Sequence, residues 1–176
     1  MNRPDPDHQS TRSIGIAMTV GAWIVGLGLV TLLFQGMLTH QDNPNQDLAV
    51  SLDDGREVVL KRNRMGHYVA PGAINGQPVE FLLDTGATTV SIPGHLAREL
   101  GLRRGRPMRA NTAAGQVTSY ATRLDSVQLG GITQRDVWAS INPSMDLNEV
   151  LLGMSFLKRL ELTQRGDTLT LRAPEG

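Results

Sequence analysis

From Ile14 to Phe34 the chain reads IGIAMTVGAWIVGLGLVTLLF, twenty-one residues without a charged side chain. As a helix, a run of this length spans the hydrocarbon core of a bilayer. It therefore divides the chain before any other feature is read, into a short N-terminus over residues 1–13, a single transmembrane helix over 14–34, and a remainder that lives in water. A buried soluble helix rarely stays uncharged for so long, and a cleaved signal peptide has a shorter apolar run followed by a small-residue cleavage site, which does not follow Phe34. Arg3 and Arg12 precede the run, and no Lys or Arg follows it until Arg56. The positive-inside rule then expects a cytoplasmic N-terminus and a single pass, which in a bacterial cell puts the remainder on the periplasmic side of the inner membrane.

Residues 35–47, QGMLTHQDNPNQD, are polar, rich in turn formers and without an apolar period, as expected of a linker. The folded domain is expected over 48–176. Its apolar or alternating runs are short and separated by Gly, Asn and Asp: LAVSL, REVVLKR, HYVAPGAI, PVEFLL, TVSI, QVTSYATRL, SVQLGG, DVWASI and TLTLR. These have strand length and strand composition, with hairpin turns predicted at Asp53–Gly55 and at Asn75–Gly76. Two short helices are predicted, GHLAREL from Gly94, closed by Gly101, and MSFLKRL from Met154. Such a mostly β domain is a small barrel or a sandwich. Trp138, Tyr120 and Phe156 are assigned to its core, and His67 and His95 to its surface.

Charge and composition exclude several functions. Seventeen basic and seventeen acidic residues cancel, so a nucleic-acid partner is not expected. The chain has no Cys, which removes disulfides, thiolate catalysis and Cys-ligated zinc. His8, His40, His67 and His95 are scattered without metal-ligand spacing, so no metal and no cofactor are expected.

The stretch FLLDTGATTVSIP, Phe81 to Pro93, sets a carboxylate directly after three apolar residues with no cation beside it. An aspartate ending a buried strand is costly to ionise unless hydrogen bonds or chemistry justify it. Thr85 brings a hydroxyl, and Gly86 lets the backbone turn and present an N–H near the carboxylate.

FLLDTGA resembles the active-site loop of the retroviral-type, or retropepsin-like, aspartic proteases, in which an apolar strand delivers Asp-Thr-Gly-Ala. That family carries a second landmark, two apolar residues and a Gly before a short helix, and VLLGMSFLKRL from Val150 to Leu160 matches it at Leu151, Leu152 and Gly153. Between the two, RANTAAGQVTSYATRL (Arg109 to Leu124) stands where the family has its flap, with Thr112, Ala113, Ala114 and Gly115 at the tip. The anchor followed by this domain is similar to a bacterial family of membrane-bound retropepsin-like proteases. The resemblance covers Val69 to Leu171 and implies an acid-protease barrel with one or two short helices.

By the resemblance, Asp84 is the catalytic acid and base, Thr85 holds the partner's loop, Gly86 donates its N–H beside the carboxylates, and Ala87 completes the loop. Pepsin-like relatives often have a hydroxyl at the Ala87 position, and its absence implies activity reaching nearer neutral pH. Peptide hydrolysis by this family needs two carboxylates, and only one Asp-Thr-Gly is present, so a homodimer acting on a polypeptide substrate is implied. In the viral enzymes terminal strands interleave across the dimer, and DTLTLR is the candidate here. The alternative is a peptide-binding or assembly module of the same fold without hydrolysis.

Overall fold

The structure is a computed structural model that describes residues 18–31, 43–46, 48, 55–112 and 115–174, with the side chains of 110–112 not described. The chain divides into two compact units, Met1–His40 and Gln41–Gly176. In the first, residues 18–31 form helix α1, along which apolar side chains are exposed, among them Met18 at 71% and Trp23 at 74%. No helix among the described residues is long and apolar enough to cross a membrane, and residues 14–17 and 32–34 of the expected span lie outside them.

The described residues of the second unit form ten strands and two short helices. They are β1 (Glu57–Lys61), β2 (Val69–Ile74), β3 (Gln77–Leu83), β4 (Val90–Pro93), α2 (Gly94–Glu99), β5 (Pro107–Thr112), β6 (Gly115–Leu129), β7 (Ile132–Asn142), β8 (Val150–Leu152), α3 (Met154–Leu157), β9 (Glu161–Arg165) and β10 (Thr168–Arg172). Strands pair in the order β2-β3-β8-β4-β7-β6-β5, and a further pairing of β6 with β2 closes the first six into a barrel. The barrel reading is thereby met, with β5 hanging from β6 outside the ring.

The β2–β3 hairpin follows from its turn: Asn75 and Gly76 both have positive φ, 50° and 79°, the conformation a two-residue hairpin needs and Asn and Gly best tolerate. Gly101, at φ 65°, ends α2 as predicted. Along β6 the residues Leu124, Val127 and Leu129 point inward, and beyond Leu124 the alternation slips at Asp125. There Asp125 and Asp136 both drop out of the β6–β7 ladder, and Asp136 takes φ 58°. The two runs read as separate strands are therefore one strand with an irregularity that lets each half keep its apolar face inward.

A smaller sheet, ordered β1-β10-β9, contributes Val58, Leu60, Leu169 and Leu171 to the same core as the barrel residues Phe81, Ile92, Leu124 and Ile141. Burying each such side chain stabilises the fold by about 1.5–3 kcal/mol. The strand TLTLR lies in the middle of this sheet, bonded on one side to β1 and on the other to β9. It thus has no free edge and cannot interleave with a second copy, which corrects the expectation for DTLTLR.

The domain also starts before residue 48. Asn43 and Asn45, in the segment expected to be linker, are buried at 5% and 6% exposure and belong to the second unit. The Asn45 side chain donates to the carbonyls of Lys61 (2.9 Å) and Val69 (2.7 Å) and accepts from the Lys61 N–H (2.7 Å). It acts as a one-residue strand joining β1 to β2. The Asn43 carboxamide caps the Asn45 N–H at 2.9 Å and donates to Glu80. Of LAVSL only Leu48 is described, and Asp53 and Asp54 of the first predicted turn lie outside the described residues.

Candidate active site

Phe81 is fully buried, whereas Leu82 and Leu83 are only half-buried, so β3 carries its end out of the core just before Asp84. Strand β8 runs parallel to it, with Phe81 opposite Val150, Leu82 opposite Leu151 and Leu83 opposite Leu152. This register sets Asp84 beside Gly153, and the Asp84 N–H donates to the Leu152 carbonyl at 3.3 Å. The chain then turns: the Ala87 N–H donates to the Asp84 carbonyl at 3.2 Å, and the Gly86 N–H donates to Asp84 Oδ1 at 2.8 Å. Asp84 and Ala87 are half-buried, Thr85 and Gly86 exposed.

The two sequence landmarks are locked to one another. Helix α3 begins with amides that have no partner inside the helix. Met154 N–H finds the Ala87 carbonyl at 2.8 Å and Ser155 N–H the Thr88 carbonyl at 3.0 Å, so the Asp84 loop itself caps the helix. Gly153 makes the approach possible: a Cβ there would lie 2.3 Å from the Thr89 carbonyl oxygen and 2.6 Å from that of Ala87. The Ser155 hydroxyl completes the joint, accepting from the Val90 N–H at 2.9 Å and donating to the Trp138 carbonyl at 2.7 Å. Leu152 and Gly153 are buried and Leu151 half-buried beneath the loop. The result is a carboxylate on a rigid turn, one oxygen held by a backbone donor, at the rim of the core.

Thr112 and Gly115 are paired at the end of a β5–β6 hairpin, and Ala113 and Ala114, the expected tip, lie outside the described residues. Strand β7 pairs with β6 only as far as Tyr120, so among the described strands Gly115–Ser119 is laddered to β5 as a two-stranded arm. A surface hollow of about 410 Å³ lies elsewhere, over the polar face of the β1-β10-β9 sheet, lined by Glu57, Thr163, Arg165 and Thr170 among others. None of its lining residues belongs to the Asp84 or Gly153 loops.

Trp138 is not in the core. It is 53% exposed on the outward side of β7, between buried Val137 and Ala139, with the Arg123 guanidinium 4.6 Å from its ring centroid. Arg123 also pairs with Asp136 through both carboxylate oxygens. This hydrogen bonding holds the Asp136 carboxyl below the ordinary carboxylate range and raises the Arg123 guanidinium. Phe156 is fully buried as expected, and Tyr120 packs half-buried against the core under the Arg104 guanidinium, 5.3 Å from its ring centroid. His67 is exposed and His95 half-buried. Sequence reasoning passed over the arginines of residues 103–109, which vanish in the whole-chain charge balance, although their density in RRGRPMR is plain.

Residues 70–159 match the family model for gag-polyprotein putative aspartyl protease. An uncharacterized protein in the cobV 5' region of Sinorhizobium sp is 32% identical over 137 residues, 73% of this chain and 58% of that protein. The match thus spans a little over half of that relative's length. The crystal structure of a retropepsin-like aspartic protease from Rickettsia conorii superposes with a TM-score of 0.54 at 26% identity, over 66% of this chain and 90% of that one. EIAV protease complexed with the inhibitor HBY-793 is 22% identical with a TM-score of 0.45, over 56% of this chain and 92% of that one.

Proposed function

The chain belongs to the gag-polyprotein aspartyl protease family, and from that premise we propose that it is an endopeptidase whose catalytic dyad is two copies of Asp84 brought together in a homodimer. The observation that carries this reading is the joint between the two loops. Asp84 Oδ1 accepts the Gly86 N–H on a turn pinned by Gly153 and α3, a degree of bracing that a surface aspartate has no need of.

The chemistry requires the second copy. One carboxylate must be ionised to take a proton from water, and the other must be protonated to polarise the scissile carbonyl. Two carboxylates at hydrogen-bonding distance share one proton and titrate as a pair. Water adds to the carbonyl carbon, its proton passing to the ionised Asp84, while the proton of the other Asp84 moves toward the carbonyl oxygen. Collapse of the tetrahedral gem-diol breaks the C–N bond: the carboxyl proton that came from water goes to the leaving amine, and a diol proton returns to the other Asp84, which restores the single shared proton. Thr85, exposed and without a hydrogen-bond partner among the described residues, is suited to bond across to the other copy's loop. The β5–β6 arm serves as the flap that covers an extended polypeptide substrate.

We assign residues 14–34 the role of a single-pass anchor in a bacterial inner membrane, with the protease domain on the periplasmic side. The uncharged run and the lead of Arg3 and Arg12 over it support this.

The test is cleavage of a diverse peptide library by the full chain in neutral detergent, beside Asp84→Asn. Cleavage that disappears with Asp84→Asn supports the reading. Equal cleavage by both chains, or none from a confirmed dimer, refutes it.

A further inference from the structure

From Leu100 to Leu124 the chain carries five arginines and no Asp or Glu, and four of them, Arg103, Arg104, Arg106 and Arg109, fall within seven residues. All four are exposed. Ion pairs form at Arg62, Arg123 and Arg172, whereas none of these four has an acidic partner among the described residues. A chain with no net charge thus concentrates positive charge on one short segment.

That segment is held, not loose. The Gly105 N–H donates to the Ala121 carbonyl at 2.8 Å, and the Ala121 N–H donates to the Arg106 carbonyl at 2.9 Å, so the β5–β6 ladder continues past β5 through a bulge. A side chain at Gly105 would meet the Ala121 carbonyl oxygen at 2.6 Å, which is why glycine interrupts the arginines there. The segment runs straight into β5, the terminal strand of its sheet. Since Arg106 turns its carbonyl toward β6, alternation turns the backbone groups of Pro107 and Arg109 outward. Pro107, lacking an N–H, sits where an edge strand tolerates it.

We propose that the outer edge of β5, together with Arg103, Arg104, Arg106 and Arg109, is a docking strand for an extended acidic polypeptide segment. Main-chain hydrogen bonds to the free edge supply a place for an extended chain, and guanidinium groups pair with carboxylates in bidentate fashion. A second copy of this chain is disfavoured on the same edge because it would set arginines against arginines. Edge charges deter edge-to-edge aggregation, and four guanidiniums with no acid among them on a pinned backbone also form a surface with a sign.

The experiment measures binding, using the full chain as Asp84→Asn in neutral detergent so that cleavage plays no part and the protease reading can fail separately. The probe is a labelled Glu-Val repeat of about ten residues, long enough to run along β5, beside Gln-Val and Lys-Val repeats. The acidic repeat should bind at least tenfold more tightly than either, weakening as salt is raised to about 0.5 M. Replacing all four arginines by Gln should abolish the preference. Arg103→Gln and Arg109→Gln singly should each weaken it severalfold, and Arg98→Gln should leave it unchanged. N-methylation of alternate residues of the acidic repeat should weaken binding at least tenfold by blocking the edge bonds. No preference for the acidic repeat, a preference that survives the quadruple replacement, or equal binding of the N-methylated repeat would overturn the proposal. So would tighter binding, at matched charge, of phosphatidylglycerol vesicles or of an oligonucleotide, either of which would assign the arginines to phosphates.

Discussion

Replacing Gly153 by alanine should disturb both loops of the site at once. The added Cβ would stand 2.3 Å from the Thr89 carbonyl oxygen and 2.6 Å from the Ala87 carbonyl oxygen, where ordinary contact begins at 3.4 Å. The neighbours are backbone, so relief requires that one loop retreat by about 1 Å rather than that a side chain swing aside. Overpacking of this kind costs about 1–3 kcal/mol. The retreat also loosens the bonds from Met154 and Ser155 to the Ala87 and Thr88 carbonyls, worth about 1 kcal/mol each. The expected destabilisation is therefore about 2–5 kcal/mol, read from urea unfolding followed by circular dichroism. Because Asp84 rides on the same turn, a displacement of that size should also lower kcat/KM by about a hundredfold. A Gly153→Ala chain within about 0.5 kcal/mol of wild type and of unchanged kcat/KM would refute the reasoning, because it would mean that the loops do not meet as closely as described.

Asn45→Ala removes three hydrogen bonds that join β1 to β2 and should cost about 2–4 kcal/mol in urea unfolding, whereas truncation at a true linker position costs almost nothing. Gly76→Ala forces a Cβ into positive φ with open space around it, so only the backbone penalty of about 1 kcal/mol is expected in the same assay. Asp136 has its folded value lowered by Arg123, so its contribution is present above the ordinary carboxylate value and is lost as pH falls through the lowered one. Wild type should accordingly lose a small part of its thermal stability relative to Asp136→Asn between neutral and strongly acid pH, and added salt should shrink the difference because the pair is exposed. An equal loss in both chains would remove Asp136 from the account.

What was legible in the sequence is what local chemistry dictates. The Asn75–Gly76 turn is written in two residues that tolerate positive φ, and the flanking runs then fix β2 and β3. The Asp84 loop was legible as a carboxylate that follows an apolar strand with a Gly to turn on, whereas its pairing with the Gly153 loop was legible only through the resemblance to the retropepsin-like proteases. Strand β5 was reached only through the resemblance, which puts a flap at Arg109 to Leu124, since PMRANT has no apolar alternation of its own; β9 was not legible, because every residue of ELTQR is exposed. Both are strands because a neighbour pairs with them. Trp138 was misassigned since alternation reveals that a strand has two faces and not which of them is inward. Asn45 looked like linker because its partners lie 16 and 24 residues away, a distance over which composition carries no signal.

The central claim is that two copies of Asp84 make one site, and subunit mixing tests it most directly. Wild type and Asp84→Asn would be co-expressed in varied proportion, purified together in neutral detergent, and assayed for peptide cleavage at constant total chain. If each site draws one aspartate from each copy, activity falls as the square of the wild-type fraction, so that about one quarter remains at equal amounts. Activity that instead falls in proportion to the wild-type fraction would contradict the account, since each chain would then be working alone.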